Sequence, residues 1–264
     1  MFSINIYRRI RLLLSRFVNS RKFGLFFFSS RFFKTPKKIK LRNRRIDINL
    51  PSEKNMNIIF IEIFLDDTYQ LEWIRNFSKK NGIQINSILD IGGNCGLTSI
   101  LSRSYFPSST IHCYEPNTEL EKFLELNSKI ANFKYFLEAV GGNSGMVKLN
   151  IDSYQSVLSS ISSDEVGTTK QVSVKEALER FGKIDVDIVK LDCEGSEWEI
   201  LKKKDIFKKV KFITMEYHLG KNNFDHARIV NVLEDLEFEI VTKLDFSSKE
   251  NYGTVLAYNR NLLI

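Results

Sequence analysis

The stretch SILDIGGNCG, residues 87–96, joins a short apolar run to a cluster of glycines. The apolar run predicts a parallel strand that helices cover on both faces, and Asp90 lies at its carboxyl end, where open α/β sheets bind ligands. The glycines have no β-carbon, so the backbone can turn sharply and approach a bound molecule; they are Gly92, Gly93 and Gly96. Residues 97–103 then predict a helix whose first amides point at that molecule.

The rest of the chain continues this alternation of strands and helices. Buried strands are predicted at residues 110–114, 133–140, 187–192 and 211–217. The last two strands, 238–243 and 254–258, are joined without a helix and should therefore pair antiparallel. The sequence predicts an α/β domain of the Rossmann-like kind.

Two segments are predicted to lie outside this core. Residues 57–65 alternate isoleucine with phenylalanine and glutamate, which predicts a strand, and a helix follows to Asn81-Gly82. Shorter strands are predicted at 146–151 and 170–174, around a Ser-rich loop at 153–163 that is either a lid or a solvated loop.

Glu115 and Pro116 end the second strand of the alternation. A carboxylate at this position can accept hydrogen bonds from both hydroxyls of a ribose. Pro116 cannot donate to the sheet, so it ends the strand and fixes the position of the glutamate. We therefore expect Glu115 to contact a nucleoside.

A second acidic cluster lies in LDCEGSE, residues 191–197, where a strand opens into a helix. Helix capping accounts well for Glu197 but poorly for Asp192, whose charge needs a cation or a hydrogen-bond donor. Lys190, within the strand, is placed to be that partner. The alternative is a divalent metal ion held by Asp192 and Glu194, although we expect no metal.

The strand predicted at 211–217 contains FITMEY and is followed by His218, so Glu216 or His218 is expected at the same edge of the sheet as Asp90 and Asp192. A histidine can accept a proton near neutral pH, so His218 is the first candidate for a general base. Asp192 is the second candidate, and Glu216 or Glu194 would orient the base.

Charge is distributed unevenly along the 264 residues. Residues 1–45 contain fourteen Lys or Arg and no acid, which leaves 25 basic and 32 acidic residues in the remainder. The high isoelectric point thus comes from the N-terminus and does not indicate a core that binds nucleic acid. Three cysteines without metal-ligand spacing favour reduced thiols and a cytoplasmic location; they are Cys95, Cys113 and Cys193.

The basic residues of 1–45 are mixed with phenylalanines, and no uncharged run is long enough to span a bilayer. Three interpretations remain: an arm that contacts an anionic membrane surface, an organelle transit peptide, or a helical extension that packs on the domain. We expect an extension over 1–45 and a domain over 46–264, with a preamble at 57–82 and a core at 87–260.

Five motifs together resemble the FkbM-type S-adenosylmethionine-dependent methyltransferases. The most specific is VKLDCEGSEWEIL at 189–201, and the others are DIGGNCG at 90–96, YEPN at 114–117, EAVGG at 138–142 and MEYH at 215–218. The resemblance covers about residues 58–258. Gly93 departs from it, since the family usually has Ala there, and we expect only a looser turn.

The resemblance implies a class I methyltransferase sheet of seven strands with the last strand antiparallel. It also implies that S-adenosylmethionine lies over the glycine turn, with its methyl group near Asp192. For the methionine end of the donor it implies Asp90, Gly92, Gly93, Asn94 and Gly96. For the ribose it implies Glu115 with Pro116, and for the adenine it implies Glu138 with Ala139.

These observations predict an enzyme that methylates a hydroxyl oxygen of a sugar, a glycan or a secondary metabolite; this acceptor class follows from the resemblance alone. Two alternatives stay open. A nicotinamide-dependent oxidoreductase would need G-x-G-x-x-G, but Ile91 stands where its first glycine belongs. A non-catalytic adapter would keep the donor fold and act through its basic arm.

Overall fold

The structure is a computed structural model that describes residues 2–52, 55–152, 155–162, 167–182, 185–193, 195–219, 226–242, 244 and 250–263. Glu194, one of the two residues considered for a metal, lies outside these ranges, as do parts of the Ser-rich loop at 153–154 and at 163. The strands are β1 Lys38–Leu41, β2 Arg44–Asp47, β3 Ser87–Ile91, β4 Thr110–Tyr114, β5 Lys134–Phe136, β6 Ala139–Gly141, β7 Gly145–Asp152, β8 Gln155–Ser162, β9 Thr169–Ser173, β10 Ile188–Leu191, β11 Phe212–His218, β12 Phe238–Ile240 and β13 Tyr252–Asn259.

Helices precede and connect these strands. The α-helices are α1 Phe2–Lys22, α2 Met56–Phe60, α3 Leu71–Lys80, α4 Leu97–Tyr105, α5 Glu121–Ala131, α6 Val174–Glu179, α7 Glu197–Leu201, α8 His226–Asp235 and α9 Arg260–Leu263. Helix α2 continues as a π-helix over Ile61–Leu65, and two 3₁₀ turns cover Thr118–Leu120 and Lys204–Lys209.

The central sheet has seven strands in the order β12-β13-β11-β10-β3-β4-β5. Strands β11, β10, β3, β4 and β5 are parallel, whereas β13 pairs antiparallel with both β11 and β12. The predicted α/β class and the antiparallel last strand are confirmed. The central strands are apolar because each face of the sheet is covered by one of two hydrophobic cores.

The prediction of a strand at 57–65 is wrong, because these residues form α2 and its π-helical continuation. Every position from Ile58 to Leu65 except Glu62 is apolar, and a continuous apolar run does not distinguish a strand from a buried helix. The segment packs against α1 on one side and α4 on the other, inside the first core.

The strand predicted at 133–140 is instead two strands in different sheets. Residues 134–136 pair with β4 in the central sheet, and residues 139–141 pair with β9 in a second sheet of order β6-β9-β7-β8. The predicted Ser-rich loop is also strand over 155–162, since β8 pairs with β7. Cross-strand pairing here outweighs the loop-like composition.

The N-terminal residues pack on the domain. Helix α1 contacts the π-helical segment, and Phe23, Phe27 and Phe33 are buried in the first core. Among the described helices, none combines the length and the apolar character that crossing a bilayer requires.

Candidate functional site

Three neighbouring strands place polar residues side by side in an otherwise apolar sheet. Asp90 of β3 is in register with Lys190 of β10, which is in register with Thr214 of β11. All three side chains are buried. The next positions of the same face, Asp192 and Glu216, lie where the strands end, so the polar row opens towards the carboxyl edge of the sheet.

Lys190 is the cation of this row. Its Nζ lies 3.4 Å from Asp90 Oδ1 and 3.5 Å from Asp192 Oδ2, and it donates to the carbonyl oxygens of Ile91 at 3.1 Å and Gly92 at 2.6 Å. Burial disfavours the ammonium, but the carboxylates of Asp192 and Asp90 outweigh it and raise the pKa of Lys190. Lys190 is therefore the charge partner that its position in the strand predicts.

Asp90 is held from two sides. Ser99 Oγ on α4 donates to Oδ2 at 2.6 Å, and Oδ1 faces the ammonium of Lys190 at 3.4 Å. The longer Oδ1 contact does not reach hydrogen-bond geometry, although Oδ1 is buried. Oδ1 is therefore the less firmly bonded of the two carboxylate oxygens.

The turn after β3 requires glycine at two positions and accepts Asn94 in the left-handed region at φ 52°. A Cβ on Gly92, at φ 74°, would lie 1.6 Å from the carbonyl oxygen of Asp192, and one on Gly96, at φ 85°, would meet the Phe133 ring at 2.7 Å. The backbone at Gly92 therefore lies directly against the acidic loop after β10.

Gly93 differs from these two because its backbone does not adopt a positive φ. A Cβ there would lie 2.0 Å from Cys113 Sγ on β4. The expectation of a looser turn is wrong, since the Cys113 side chain occupies the space that an alanine methyl group would take.

Glu115 is buried directly after β4, and each of its carboxylate oxygens accepts a hydrogen bond from a backbone amide. Asn94 N donates to Oε2 and Asn117 N donates to Oε1, both at 2.9 Å. Burial outweighs these bonds and raises the pKa of Glu115 to about 7. The glycine turn is thus hydrogen-bonded directly to Glu115, the residue predicted to bind the ribose. Pro116 lies between Glu115 and Asn117, whose amide is the second donor.

Glu138 lies at the junction of the two sheets, next to the buried Ala139 of β6. Its carboxylate accepts from Arg180 and, at 2.7 Å, from Lys170. Burial opposes the charge, but these hydrogen bonds prevail and lower the pKa of Glu138. The Arg180 guanidinium lies 4.8 Å above the Phe136 ring, and this ring stacks on Tyr114 at 4.6 Å.

Tyr69 belongs to the site although no sequence motif indicated it. Its hydroxyl donates to Asp192 Oδ2 at 2.6 Å, and its carbonyl accepts from Thr214 Oγ1 at 2.8 Å. Lys190 Nζ lies 4.9 Å from the centre of the Tyr69 ring. The residue lies between the π-helical segment and α3, far from the strand ends in sequence, so spacing alone could not reveal it.

His218, at the end of β11, lies between two carboxylates. Nδ1 is 3.4 Å from Glu197 Oε1, and Nε2 is 3.5 Å from Glu216 Oε1. Glu197 is buried and accepts from the amides of Cys193 at 3.0 Å and Gly195 at 2.9 Å, while the indole of Trp198 donates to the His218 carbonyl at 2.6 Å. A partly exposed imidazole is thus fixed at the rim of the site.

The structure brings together Asp90, the glycine turn, Glu115, Lys190 and Asp192 through direct contacts. Glu216 and His218 form a second pair beside them on β11. Of the other two histidines, His112 is buried and stacks on Phe181, and His226 is bonded to the Tyr217 hydroxyl at 2.9 Å. Within the described ranges, which omit Glu194, no group of three or more His, Cys, Asp or Glu has the arrangement of a metal site.

Comparison with known proteins identifies a family. The family model of the methyltransferase FkbM domain matches residues 90–240, which is more than half of the chain. No curated protein matches the chain.

The fold resembles several solved structures at low sequence identity. Precorrin-6y C5,15-methyltransferase of Geobacter metallireducens GS-15 is 17% identical over 71% of this chain and 88% of that chain, with a TM-score of 0.41. The methyltransferase domain of METTL16 is 13% identical over 81% and 73%, with a TM-score of 0.47. Magnesium protoporphyrin IX methyltransferase of Synechocystis PCC 6803, solved with bound S-adenosylmethionine, is 10% identical over 80% and 86%, with a TM-score of 0.42.

Proposed function

The chain belongs to the FkbM methyltransferase family and is an S-adenosylmethionine-dependent methyltransferase, and from this premise we propose that it methylates a hydroxyl oxygen. The acceptor in this proposal is a sugar, a glycan or a small secondary metabolite. The observation that carries the reaction type is His218, an imidazole fixed between Glu216 and Glu197 at the edge of the donor site. A hydroxyl, unlike an amine, must lose a proton when it accepts a methyl group, so a positioned base is needed.

The residues around the glycine turn fit the donor. Asp90 lies two residues before Gly92, and its Oδ1 is engaged only by the 3.4 Å contact with Lys190 Nζ, so this carboxylate can also accept from the ammonium group of an amino acid. Glu115 keeps further acceptor capacity on both oxygens for the ribose, and Glu138 with Ala139 would border the adenine. The donor supplies a methyl group on a cationic sulfonium, and the three carboxylates Asp90, Asp192 and Glu115 face a single ammonium, Lys190.

Asp192 and Tyr69 act together in this proposal. Oδ2 of Asp192 already accepts the Tyr69 hydroxyl and faces Lys190 Nζ, so Oδ1 is the oxygen left to contact the acceptor. Tyr69 fixes the carboxylate in one rotamer, which aligns the acceptor for an in-line displacement. Asp192 therefore orients the hydroxyl, and His218 takes its proton.

Glu216 and Glu197 support His218 electrostatically. When the imidazole gains the proton it becomes a cation between two carboxylates, which stabilises the protonated form. Glu197 is held in place by hydrogen bonds from two backbone amides.

The base assignment is tested by His218→Ala. We expect kcat to fall about 10²- to 10⁴-fold because the hydroxyl proton has no acceptor, while donor affinity stays within about twofold because His218 lies outside the glycine turn. Single-turnover kinetics and calorimetric titration with S-adenosylmethionine measure the two quantities. If His218→Ala retains full turnover, His218 is not the base, and Asp192→Asn becomes the next variant.

The acceptor is identified with labelled donor. Incubation of the enzyme with S-adenosylmethionine labelled at the methyl group and cell extract should label a saccharide or small molecule through an ether bond. The Asp90→Asn variant serves as the negative control because it weakens donor binding. Label found on nitrogen or on protein would contradict O-methylation.

A further inference from the structure

The loop after α1 exposes three phenylalanines. Phe26, Phe28 and Phe32 are 64%, 74% and 71% exposed. They are the most exposed large apolar side chains among those the structure describes. Exposed aromatic side chains grouped in one segment mark a contact surface.

The same loop is anchored from beneath. Phe23, Phe27 and Phe33 alternate with the exposed residues and are buried, where Phe23 packs on Phe64 at 5.0 Å and Phe33 on Phe60 at 5.9 Å between ring centres. The exposed rings are therefore held at the surface by the buried phenylalanines of the same loop.

Helix α1 exposes a run of apolar side chains. Two of its polar residues face the domain: Arg16 binds Asp66 with two hydrogen bonds, and Asn19 donates to the Leu65 carbonyl at 2.6 Å. A soluble helix normally buries its apolar side chains. Here Ile10, Leu14 and Val18, spaced four residues apart, are more than half exposed, and Leu12, Leu13 and Phe17 are exposed as well.

The helix and the loop form one continuous surface. The Phe17 and Phe26 rings meet edge to face at 6.3 Å, and the Arg21 guanidinium lies over both rings, at 5.2 Å and 5.3 Å. We call the six most exposed of these apolar side chains the N-terminal apolar surface: Ile10, Leu14, Val18, Phe26, Phe28 and Phe32.

Cations lie beside this surface. Residues 1–45 carry fourteen Lys or Arg and no acid, and the guanidinium groups of Arg21 and Arg31 lie over the rings of Phe26 and Phe32, at 5.3 Å and 5.8 Å from the ring centres. Apolar side chains interspersed with arginine and lysine are typical of segments that lie in the interface of an anionic bilayer.

We propose that the N-terminal apolar surface docks the enzyme on an anionic lipid bilayer. Its aliphatic residues need hydrocarbon to pack against, which a nucleic acid does not offer, since nucleic acids are bound by aromatic stacking and phosphate contacts. A second copy of the chain would bring fourteen further cations to the same place and repel the first. A bilayer with anionic headgroups satisfies both the apolar groups and the charge. The inference does not depend on the acceptor of the methyl group.

The test is co-flotation of the full-length protein with vesicles. We expect binding to phosphatidylcholine vesicles that contain about one third phosphatidylglycerol to exceed binding to pure phosphatidylcholine by at least about tenfold, and to weaken as salt is raised. The variant F26S/F28S/F32S should reduce binding to the anionic vesicles about tenfold or more, because it removes the inserting rings and keeps every charge.

A matched variant, L126S/I130S/M146S, removes three exposed apolar side chains elsewhere on the domain and should bind like the wild type. Thermal unfolding shows whether each variant is folded. Arg31→Glu combined with Lys34→Glu tests the contribution of positive charge to vesicle binding and leaves the buried phenylalanines of the loop unchanged. Equal binding to neutral and anionic vesicles, equal loss in the matched variant, or no vesicle binding by the wild type would each overturn the proposal. Binding of RNA that excludes vesicles would overturn it as well.

Discussion

At the glycine turn, Gly93 and Cys113 share one packing volume. The Cys113 thiol is buried, and burial raises its pKa well above the ordinary value, so the side chain acts as a small apolar group. A methyl group at position 93 cannot fit while Sγ is present, although the backbone of Gly93 would tolerate it. We therefore expect a larger side chain at position 93 to be tolerated only when the side chain at position 113 is made smaller.

We predict that Gly93→Ala destabilises the protein by about 1–3 kcal/mol through overpacking, and that Cys113→Ala in the same chain restores most of this loss. Denaturant unfolding of the wild type, both single variants and the double variant measures the coupling. Strictly additive effects would contradict a shared volume.

Glu115 is the residue whose charge should control donor binding near neutral pH. Its pKa is raised from 4.5 to about 7, chiefly by burial, so it is mostly protonated at pH 6 and mostly ionised at pH 8. In the free protein the protonated carboxyl of Glu115 contributes to the free energy of unfolding. This contribution is greatest below pH 4.5 and is lost as the pH rises through 7. The ionised form is the better acceptor for ribose hydroxyls, so donor binding should follow the opposite trend.

We predict that affinity for S-adenosylmethionine rises up to about tenfold between pH 6 and pH 7.5. Burial also raises the pKa of Glu62 and Asp67 to about 7, so the comparison requires Glu115→Gln, which should bind weakly and without this rise. Calorimetry across this range measures both proteins. The same pH dependence in Glu115→Gln would assign the effect to another group.

At the level of elements, α1 and the segment 56–65 form one unit with the loop that carries Tyr69. Arg16 joins α1 to Asp66 through bonds of 2.7 Å and 2.6 Å, and Asp67 then accepts the first two amides of α3 at 2.9 Å each. The unit ends at Tyr69, whose hydroxyl holds Asp192. Helix α1 is thereby connected by hydrogen bonds to the segment that leads into Tyr69.

We predict a coupling of about 1–2 kcal/mol between Arg16 and Asp66, because the pair is bidentate and both side chains are largely buried. A double-mutant cycle with Arg16→Gln and Asp66→Asn measures it by denaturant unfolding. The Lys38–Asp47 pair, with both side chains about two-thirds exposed, is the control and should give a coupling close to zero. Equal couplings in the two pairs would show that α1 is not held by this contact.

At the scale of the whole molecule, the candidate site lies at the carboxyl edge of the central sheet. There the sheet meets the unit formed by α1, the segment 56–65 and the loop that carries Tyr69. Asp90 and Glu115 come from the parallel strands, whereas Tyr69 comes from a segment that covers the sheet. We therefore expect a ligand at this junction to contact both parts and to stabilise them together.

We predict that S-adenosylmethionine at about 100 times its dissociation constant stabilises the folded protein by about 3 kcal/mol and raises the melting temperature by several degrees. Asp90→Asn, compared with its own ligand-free form, should show a smaller shift at the same concentration. NADH should leave the melting temperature unchanged. A shift with NADH would favour the nicotinamide-dependent alternative.

The sequence by itself determined the alternation of strands and helices, the antiparallel end of the sheet and the membership of the family. These follow from local signals: apolar runs of strand length, glycines at one turn, and acids at strand ends. Lys190 as the charge partner of Asp192 was predicted too, because the two residues lie two apart in the strand predicted at 187–192, whereas its contact with Asp90 comes from the pairing of β10 with β3.

Only the tertiary structure decided the rest. The run at 57–65 is helical because it is packed between α1 and α4, and its composition suits either structure equally. Tyr69 reaches Asp192 across 123 residues, and Cys113 fills the space beside Gly93 from a neighbouring strand. Such contacts depend on how elements pack against each other, which the order of residues along one element does not record.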